Sequence, residues 1–486
     1  MPRGFAKERA IDQGVLVWFA ILGGLTIGAL AFTILFPVRW IAGFDFQAFW
    51  CGGRTLLEHA SPYLNQPLHA CEVASTPAFF MQYPNMTIPD PLPAYGIELL
   101  APLALLPFGL ARIIWWALLI VCAFAAGRGI AKITGMAPVT AHAASAIAIL
   151  APALILGSLA PLPIALTILG AVALREKRWT AAAALLGFAM VSPHMVLPVC
   201  AAAFIFVPAM RVRLLLVGVA AAALTLAAVG PLAALSYFTV MLPVHAASEL
   251  NSIGQNSFAA ILFHLGVPAR MALTAGSLQY ALFACVAVWV AGRLYHKSGD
   301  AAWIVFVPAA FAVMGGAFIH LDEVAMAVPL ACLLAMRRPG TAPTIAVVLL
   351  AVPFESLVNW APWAIPAALA CGWLMMRAGA GRKFVIAIGI ALLLAVGAIV
   401  FIPGVVTPVG GHAATHAVTT ANPGPDASAS VAWASVNARY RISMIWWPEK
   451  LLAFVPLAML VWFSIVEAGV VPAAHRRRWI WTSCVL

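Results

Sequence analysis

Apolar runs of membrane-spanning length, separated by short clusters of Lys and Arg, constrain this chain more than any other feature. Residues 15–38 and 214–235 contain no charged side chain. A helix that crosses a bilayer needs about 20 such residues. Inside lipid the backbone must satisfy its own hydrogen bonds, which leaves helices or a closed barrel. The runs are continuous rather than alternating, so helices are expected. Charge is too sparse for the alternative of a soluble domain. Only 9% of the 486 residues are charged, against about 25% in a typical soluble protein.

The net charge of +11 is not read as a nucleic-acid surface, because of where the charges fall. Most of the 27 basic residues sit in clusters such as Arg3/Lys7/Arg9, Arg128/Lys132, Arg175/Lys177/Arg178, Arg211/Arg213, Arg293/Lys297, Arg337/Arg338, Arg377/Arg382/Lys383 and Arg476/Arg477/Arg478. Short cytoplasmic loops collect Lys and Arg in this way. The stretches between clusters have room for two crossings each, so the clusters mark one side and both termini lie on it. The N-terminal run 15–38 exceeds the apolar core of a secretory signal, about 7–15 residues, and reads as a retained first helix. Further helices are expected near 110–127, 140–157, 161–174, 180–192, 194–208, 214–235, 275–292, 301–318, 324–336, 342–358, 362–376, 383–403 and 448–470. The stretch 93–107, with Pro93, Pro102 and Pro107, fits either a re-entrant hairpin or an interfacial helix.

The chain then reads as one polytopic membrane domain, 1–486, with three outer segments at 39–109, 236–274 and 404–447. The turn around His320, Asp322 and Glu323 faces the same side. Most of the 16 acidic residues fall there, in keeping with an active site or simply with longer loops. Asp45 stands among Phe44, Phe46, Phe49 and Trp50, and a carboxylate in such company is costly unless solvated, paired or used. Capping of a helix beside an aromatic belt is the plainer reading. Gly52-Gly53 permits close backbone approach, and Ser61-Pro62 reads as a turn into Tyr63. Cys51 and Cys71 share the first outer segment, where an oxidising compartment permits but does not require a bridge. Residues 412–437 are rich in Ala, Thr, Ser, Pro and Gly and read as a partly ordered loop of the lid kind.

Taken in order, these outer-face residues resemble glycosyltransferase family 87. The resemblance rests on Asp45 after the first span, the aromatic pair Phe49-Trp50, Gly52-Gly53, and Pro62-Tyr63. It continues through Tyr83-Pro84, Leu99 to Pro107, Asn256-Ser257-Phe258, and His320 with Asp322 and Pro329. It covers roughly residues 15–340. The chain departs from the family at Val191-Ser192-Pro193-His194, where the family often has Lys-Pro, and at Cys51, where a small Ala-like residue is usual.

The resemblance implies an all-α, GT-C-type transmembrane helix bundle with juxtamembrane helices in the first outer loop. It implies transfer of a sugar, mannose or another hexose, from a polyprenyl-phosphate-linked donor to a lipid or glycan acceptor, among membrane lipids. The site would face the periplasm of a bacterial inner membrane. The implied roles are Asp45 as catalytic base, His320 as donor-phosphate ligand, and Tyr63, Tyr83, Asn256 and Asp322 as substrate contacts; Arg54, as an available outward cation, is the second candidate for the donor phosphate. No cofactor or metal is implied. P-loop and Gly-x-Gly-x-x-Gly patterns are missing from the sequence, so cytoplasmic nucleotide chemistry has no support. The rival readings are a transporter or flippase of lipid-linked saccharides, and a polymerase or ligase. A transporter predicts repeated halves and charges within spans; a polymerase or ligase predicts outer arginines rather than an Asp after the first span.

Overall fold

A computed structural model describes residues 43–77, 85–150, 156–252, 254–337, 424–437 and 446–470, with short pieces at 153, 346–347, 350, 406–408 and 440–442. The expected helices at 15–38, 362–376 and 383–403, nearly all of 342–358, both termini and Tyr83 lie outside the described residues.

Residues 43–107 contain α1 (Phe44–Leu57), α2 (Asn65–Ser75) and α3 (Ala94–Ala104). Then come α4 (Phe108–Thr134), α5 (Pro138–Ser145), α6 (Pro161–Arg175), α7 (Trp179–Ala189) and α8 (Pro193–Phe206). Next, α9 (Arg211–Ser236) runs through a wide turn at Tyr237–Met241 into α10 (Leu242–Ser248). The series continues with α11 (Phe258–His264), α12 (Ala269–Ser298), α13 (Ala302–Ala312), a tight 3-10 turn at Leu321–Ala327, and α14 (Val328–Arg337). In the C-terminal part lie α15 (Ala429–Asn437) and α16 (Trp446–Glu467). Two short strands, β1 (Val406–Pro408) and β2 (Tyr440–Ile442), pair antiparallel with Val406 opposite Ile442. The protein is an all-α membrane protein apart from that small ladder.

The helix patterning shows which surfaces meet lipid. Phe108–Thr134, Pro208–Ser248 and Ala269–Ser298 are long and apolar enough to cross a membrane. Along α4, Trp115, Leu119, Ala126 and Ile130 are buried while Leu110, Ile113 and Val121 are exposed, so one face packs and the other meets lipid. No residue of α9 is fully buried, and Leu215, Leu216, Val219, Leu226 and Leu232 on it are exposed apolar side chains for lipid to cover. Gly230 adopts φ 76° inside that helix, before Pro231. The freed backbone geometry there breaks the helix and redirects it.

The stretch 93–107 contains a short helix, α3, packed on α1. Gly53 allows the approach: a Cβ there would stand 3.1 Å from the Ala101 Cα. A Cβ on Gly52 would lie 2.2 Å from Asp90 Oδ2, so the next coil of the segment sits equally close. Cys51 and Cys71 are bridged, joining α1 to α2. Aromatic packing anchors α1 to the bundle, with Phe46 5.2 Å from the Trp115 ring and the Trp115 indole donating to Gly157 O at 2.8 Å.

One expected span is cut short. The sequence predicts a helix to 318, but α13 ends at Ala312. Its 11 residues reach about 16 Å at 1.5 Å per residue, roughly half of a bilayer core. Residues 313–320 continue without helix, and Gly316 holds φ 129°. Unwound backbone at such a place needs partners, and residues 254–259 supply them. Asn256 N donates to Ile319 O at 2.7 Å, Leu321 N to Gly254 O at 3.0 Å and Ala259 N to Gly316 O at 3.3 Å. The side-chain oxygen of Gln255 accepts from Ile319 N at 3.2 Å.

Candidate active site

Between α1 and this broken helix lies a cavity of about 780 Å³, within the size range of small-ligand sites. Its lining is largely apolar, and it collects four carboxylates (Asp45, Glu249, Asp322, Glu323) and three histidines (His194, His245, His320). One margin reaches Phe238 and Leu278, which line it while 64% and 67% exposed. That margin lies between α9–α10 and α12, both of which carry lipid-facing surface.

Asp45 enters from the first turn of α1. Helical spacing puts Ala48 and Phe49 on the same stripe, and all three line the cavity. Asp45 is only partly exposed, and its open side is the cavity. The helix N-terminus favours a carboxylate. Burial nevertheless raises its pKa to about 7, assisted by Asp322, Glu249 and Glu323, while His320 pulls it down.

The opposite wall is organised by Glu323. Its Oε2 accepts the His320 backbone N–H at 2.8 Å, which caps the 3-10 turn. Its Oε1 lies 2.8 Å from His194 Nε2. Burial works against the Glu323 charge, but His194 and His320 facing it hold its pKa below the usual value. Burial lowers the His320 pKa, yet Glu249, Glu323, Asp322 and Asp45 outweigh that and raise it. The Glu249 carboxylate lies 3.9 Å from His320 Nε2. Asp322 accepts from the Ser158 hydroxyl, and burial followed by the Glu323 charge raises its pKa. Phe318 is shared by the histidines, its ring 4.7 Å from both His320 and His245.

Asp45 therefore meets His320 and Asp322, far from it in sequence, in one cavity. Arg54 does not join them. It is exposed and its Nε donates to Glu58 Oε1 at 2.7 Å, one turn along α1. Nine residues beyond Asp45, a helix has rotated by about 180°, so Arg54 leaves from the far face. Tyr63 is also off the cavity: its hydroxyl donates to Leu92 O at 3.1 Å and its ring packs 5.4 Å from Tyr237. Asn256 is buried off the cavity as well, its backbone engaged with Ile319. These two support the walls instead of lining the space. Among the described residues no group of three or more His, Cys, Asp or Glu is arranged to hold a metal ion.

Sequence reasoning missed the roles of Glu323, His245 and Trp433. The signal for Glu323 was present as a residue three positions after His320, the spacing of a capping box. Nothing local signals Trp433, which is brought to the cavity by the packing of α15.

Residues 93–315 match the family model of Glycosyltransferase family 87. The match takes in the Phe238–Leu278 margin, His194 and Glu249, and it stops five residues before His320. It supports a membrane glycosyltransferase, which has a sugar donor and an acceptor. No curated protein sequence matches the chain.

Proposed function

We propose, from the match of residues 93–315 to the model of Glycosyltransferase family 87, that the protein moves a hexose from a polyprenyl-phosphate donor to an acceptor hydroxyl. Mannose is the first candidate sugar. The fold is of the GT-C type, with the cavity on the periplasmic face of a bacterial inner membrane and both termini in the cytoplasm. The observation that carries this reading is the meeting of Asp45 and His320 in one cavity whose margin reaches lipid-facing helices.

In this reaction the acceptor oxygen attacks C1 of the donor sugar. The bond from C1 to the phosphate oxygen breaks, and polyprenyl phosphate leaves with the bonding electrons. Asp45 takes the acceptor proton as the oxygen gains positive character, a role worth roughly 10²–10⁴-fold. A pKa of about 7 suits it, since the carboxylate is then both available and basic near neutral pH. His320, its pKa raised by the carboxylates around it, supplies positive charge to the departing phosphate. Asp322, held by Ser158, is placed to bond a sugar hydroxyl. The margin at Phe238 and Leu278 admits the donor's isoprenoid tail sideways from the bilayer.

The test is transfer from radiolabelled polyprenyl-phosphate mannose in membranes. Wild type is compared with Asp45→Asn and Asp45→Ala at matched protein levels. Both variants are expected to lose at least 100-fold in rate. Transfer that survives in both removes Asp45 from the chemistry.

A further inference from the structure

The third outer segment contributes a side chain to the cavity, and α15 lies outside the residues matched by the family. This helix packs against α10 and α2. Its approach is fixed by Asn65 N donating to Ala427 O at 2.8 Å and Ala429 N to Tyr63 O at 3.1 Å. Trp433, on this helix, lines the cavity. Its indole N–H donates to Glu249 Oε1, and its ring centroid lies 5.7 Å from that of Phe44, the residue before Asp45.

Two buried polar groups of the same wall are left incompletely paired. His245 is 4% exposed. Its Nδ1 lies 3.3 Å from Ser430 Oγ, while its Nε2 is buried with no hydrogen-bond partner. Glu249 is 2% exposed, and its Oε2, turned toward His320 at 3.9 Å, also lacks a hydrogen bond. Buried polar atoms are nearly always satisfied, and leaving them unmade is costly. Both residues line the cavity, so a ligand there can complete them.

We propose that Trp433, Phe44, Glu249 and His245 form the acceptor subsite, and that the group held there is a pyranose sugar. This rests on the glycosyl-transfer reading above. A pyranose presents an apolar C–H face, which fits against an indole, and a ring of hydroxyls, each able to donate and accept. One hydroxyl donates to Glu249 Oε2 and a neighbouring one pairs with His245 Nε2. A simple lipid alcohol has one hydroxyl and no second group to satisfy the pair. Phe44 sets this subsite beside Asp45, so a sugar seated on Trp433 has a hydroxyl next to the proposed base.

The experiment uses the full-length protein in lipid nanodiscs, with methyl α-mannopyranoside and methyl α-glucopyranoside as probes. Saturation-transfer NMR reads contact between protein and the sugar C–H protons without requiring any reaction. Wild type is expected to saturate at least one glycoside. Trp433→Ala is expected to weaken binding about tenfold, the loss of one ring contact, and Trp433→Phe to recover part of it. Formation of the Cys51–Cys71 bridge reports correct folding of this region. Where Trp433→Ala does not form it, Glu249→Gln replaces it with the same expected weakening. Equal signals in wild type and variant, or no glycoside signal in wild type, overturn the proposal. Parallel assays of sugar transfer separate the two readings. Transfer without Trp433-dependent binding removes this subsite alone, whereas Trp433-dependent binding without transfer from any polyprenyl-phosphate sugar removes the reaction and leaves a sugar-binding site.

Discussion

The two walls of the cavity are built by different means. The Asp45 wall is local in sequence and fastened several times over: a disulfide joins α1 to α2, Gly52 and Gly53 admit Asp90 and α3, and Phe46 and Phe49 pack on Trp115. The His320 wall is an unwound stretch with no regular hydrogen-bond ladder of its own. It is held by residues 254–259 and His194, which come from elsewhere in the chain, and by Glu323 from the turn that follows it. The first wall fixes one carboxylate firmly. The second places several ionisable groups through a network in which Glu323 is the common partner, so one substitution there disturbs more than one group.

After the loss of Asp45 itself, the largest effect is therefore expected from Glu323→Gln. The amide keeps an acceptor for the His320 backbone N–H but removes the charge facing both His194 and His320. Transfer is expected to fall about 100-fold, mainly in kcat, with stability lowered by about 1–3 kcal/mol. Because His320 loses one of the charges that raise its pKa, the alkaline limb of the rate profile should move to lower pH. A purely structural role for Glu323 would lower stability without moving that limb.

The acid limb sharpens the contrast from the other wall. As the proposed base, Asp45 would act only when ionised. With its pKa raised to about 7, it is mostly protonated at pH 5, and activity there is expected about 100-fold below the plateau. Activity returns as pH rises through 7. Asp90 is also pushed up by burial, to about 8, against the opposing Leu92 N–H bond. It packs against Gly52 and does not line the cavity. Asp90→Asn should leave the acid limb where it is, although both aspartates are shifted in the same direction. An acid limb displaced by Asp90→Asn would transfer the base role away from Asp45.

The two walls also differ in how far the sequence discloses them. Asp45, the glycine pair and the helix between them form one continuous segment, so neighbours in sequence are neighbours in space. The apolar helices were legible for the same reason, since hydropathy is a local property. The early end of α13 was not. Val313 and Met314 continue the apolar pattern, and only tertiary hydrogen bonds to residues 254–259 make the unwound backbone affordable. Tyr63 and Asn256 are polar, outward in the reading and aligned with the family's pattern, yet neither lines the cavity. Cys51 and Cys71 offered a bridge that only three-dimensional proximity decides. Removing it with Cys51→Ser/Cys71→Ser opens a loop with sequence separation 20, which is expected to cost about 3 kcal/mol. Thermal unfolding in detergent measures this. Transfer by the folded fraction should change far less than in Glu323→Gln, because glycine contacts and aromatic packing still hold α1.

The smallest effect is expected at Arg54, and it discriminates between helix geometry and residue type. Arg54 is the nearest fixed cation to Asp45 along α1, and a departing phosphate needs positive charge, so chemistry alone nominates it. Geometry does not: it stands on the opposite face, exposed and paired with Glu58. An exposed pair one helical turn apart contributes less than about 1 kcal/mol. Arg54→Ala should leave the transfer rate within about twofold of wild type and the unfolding temperature nearly unchanged. A loss comparable to that of Asp45→Asn would mean that α1 presents its other face to the donor. The cavity between the two walls would then not be where sugar is transferred, and the assignments of His320 and Asp322 would fall with it.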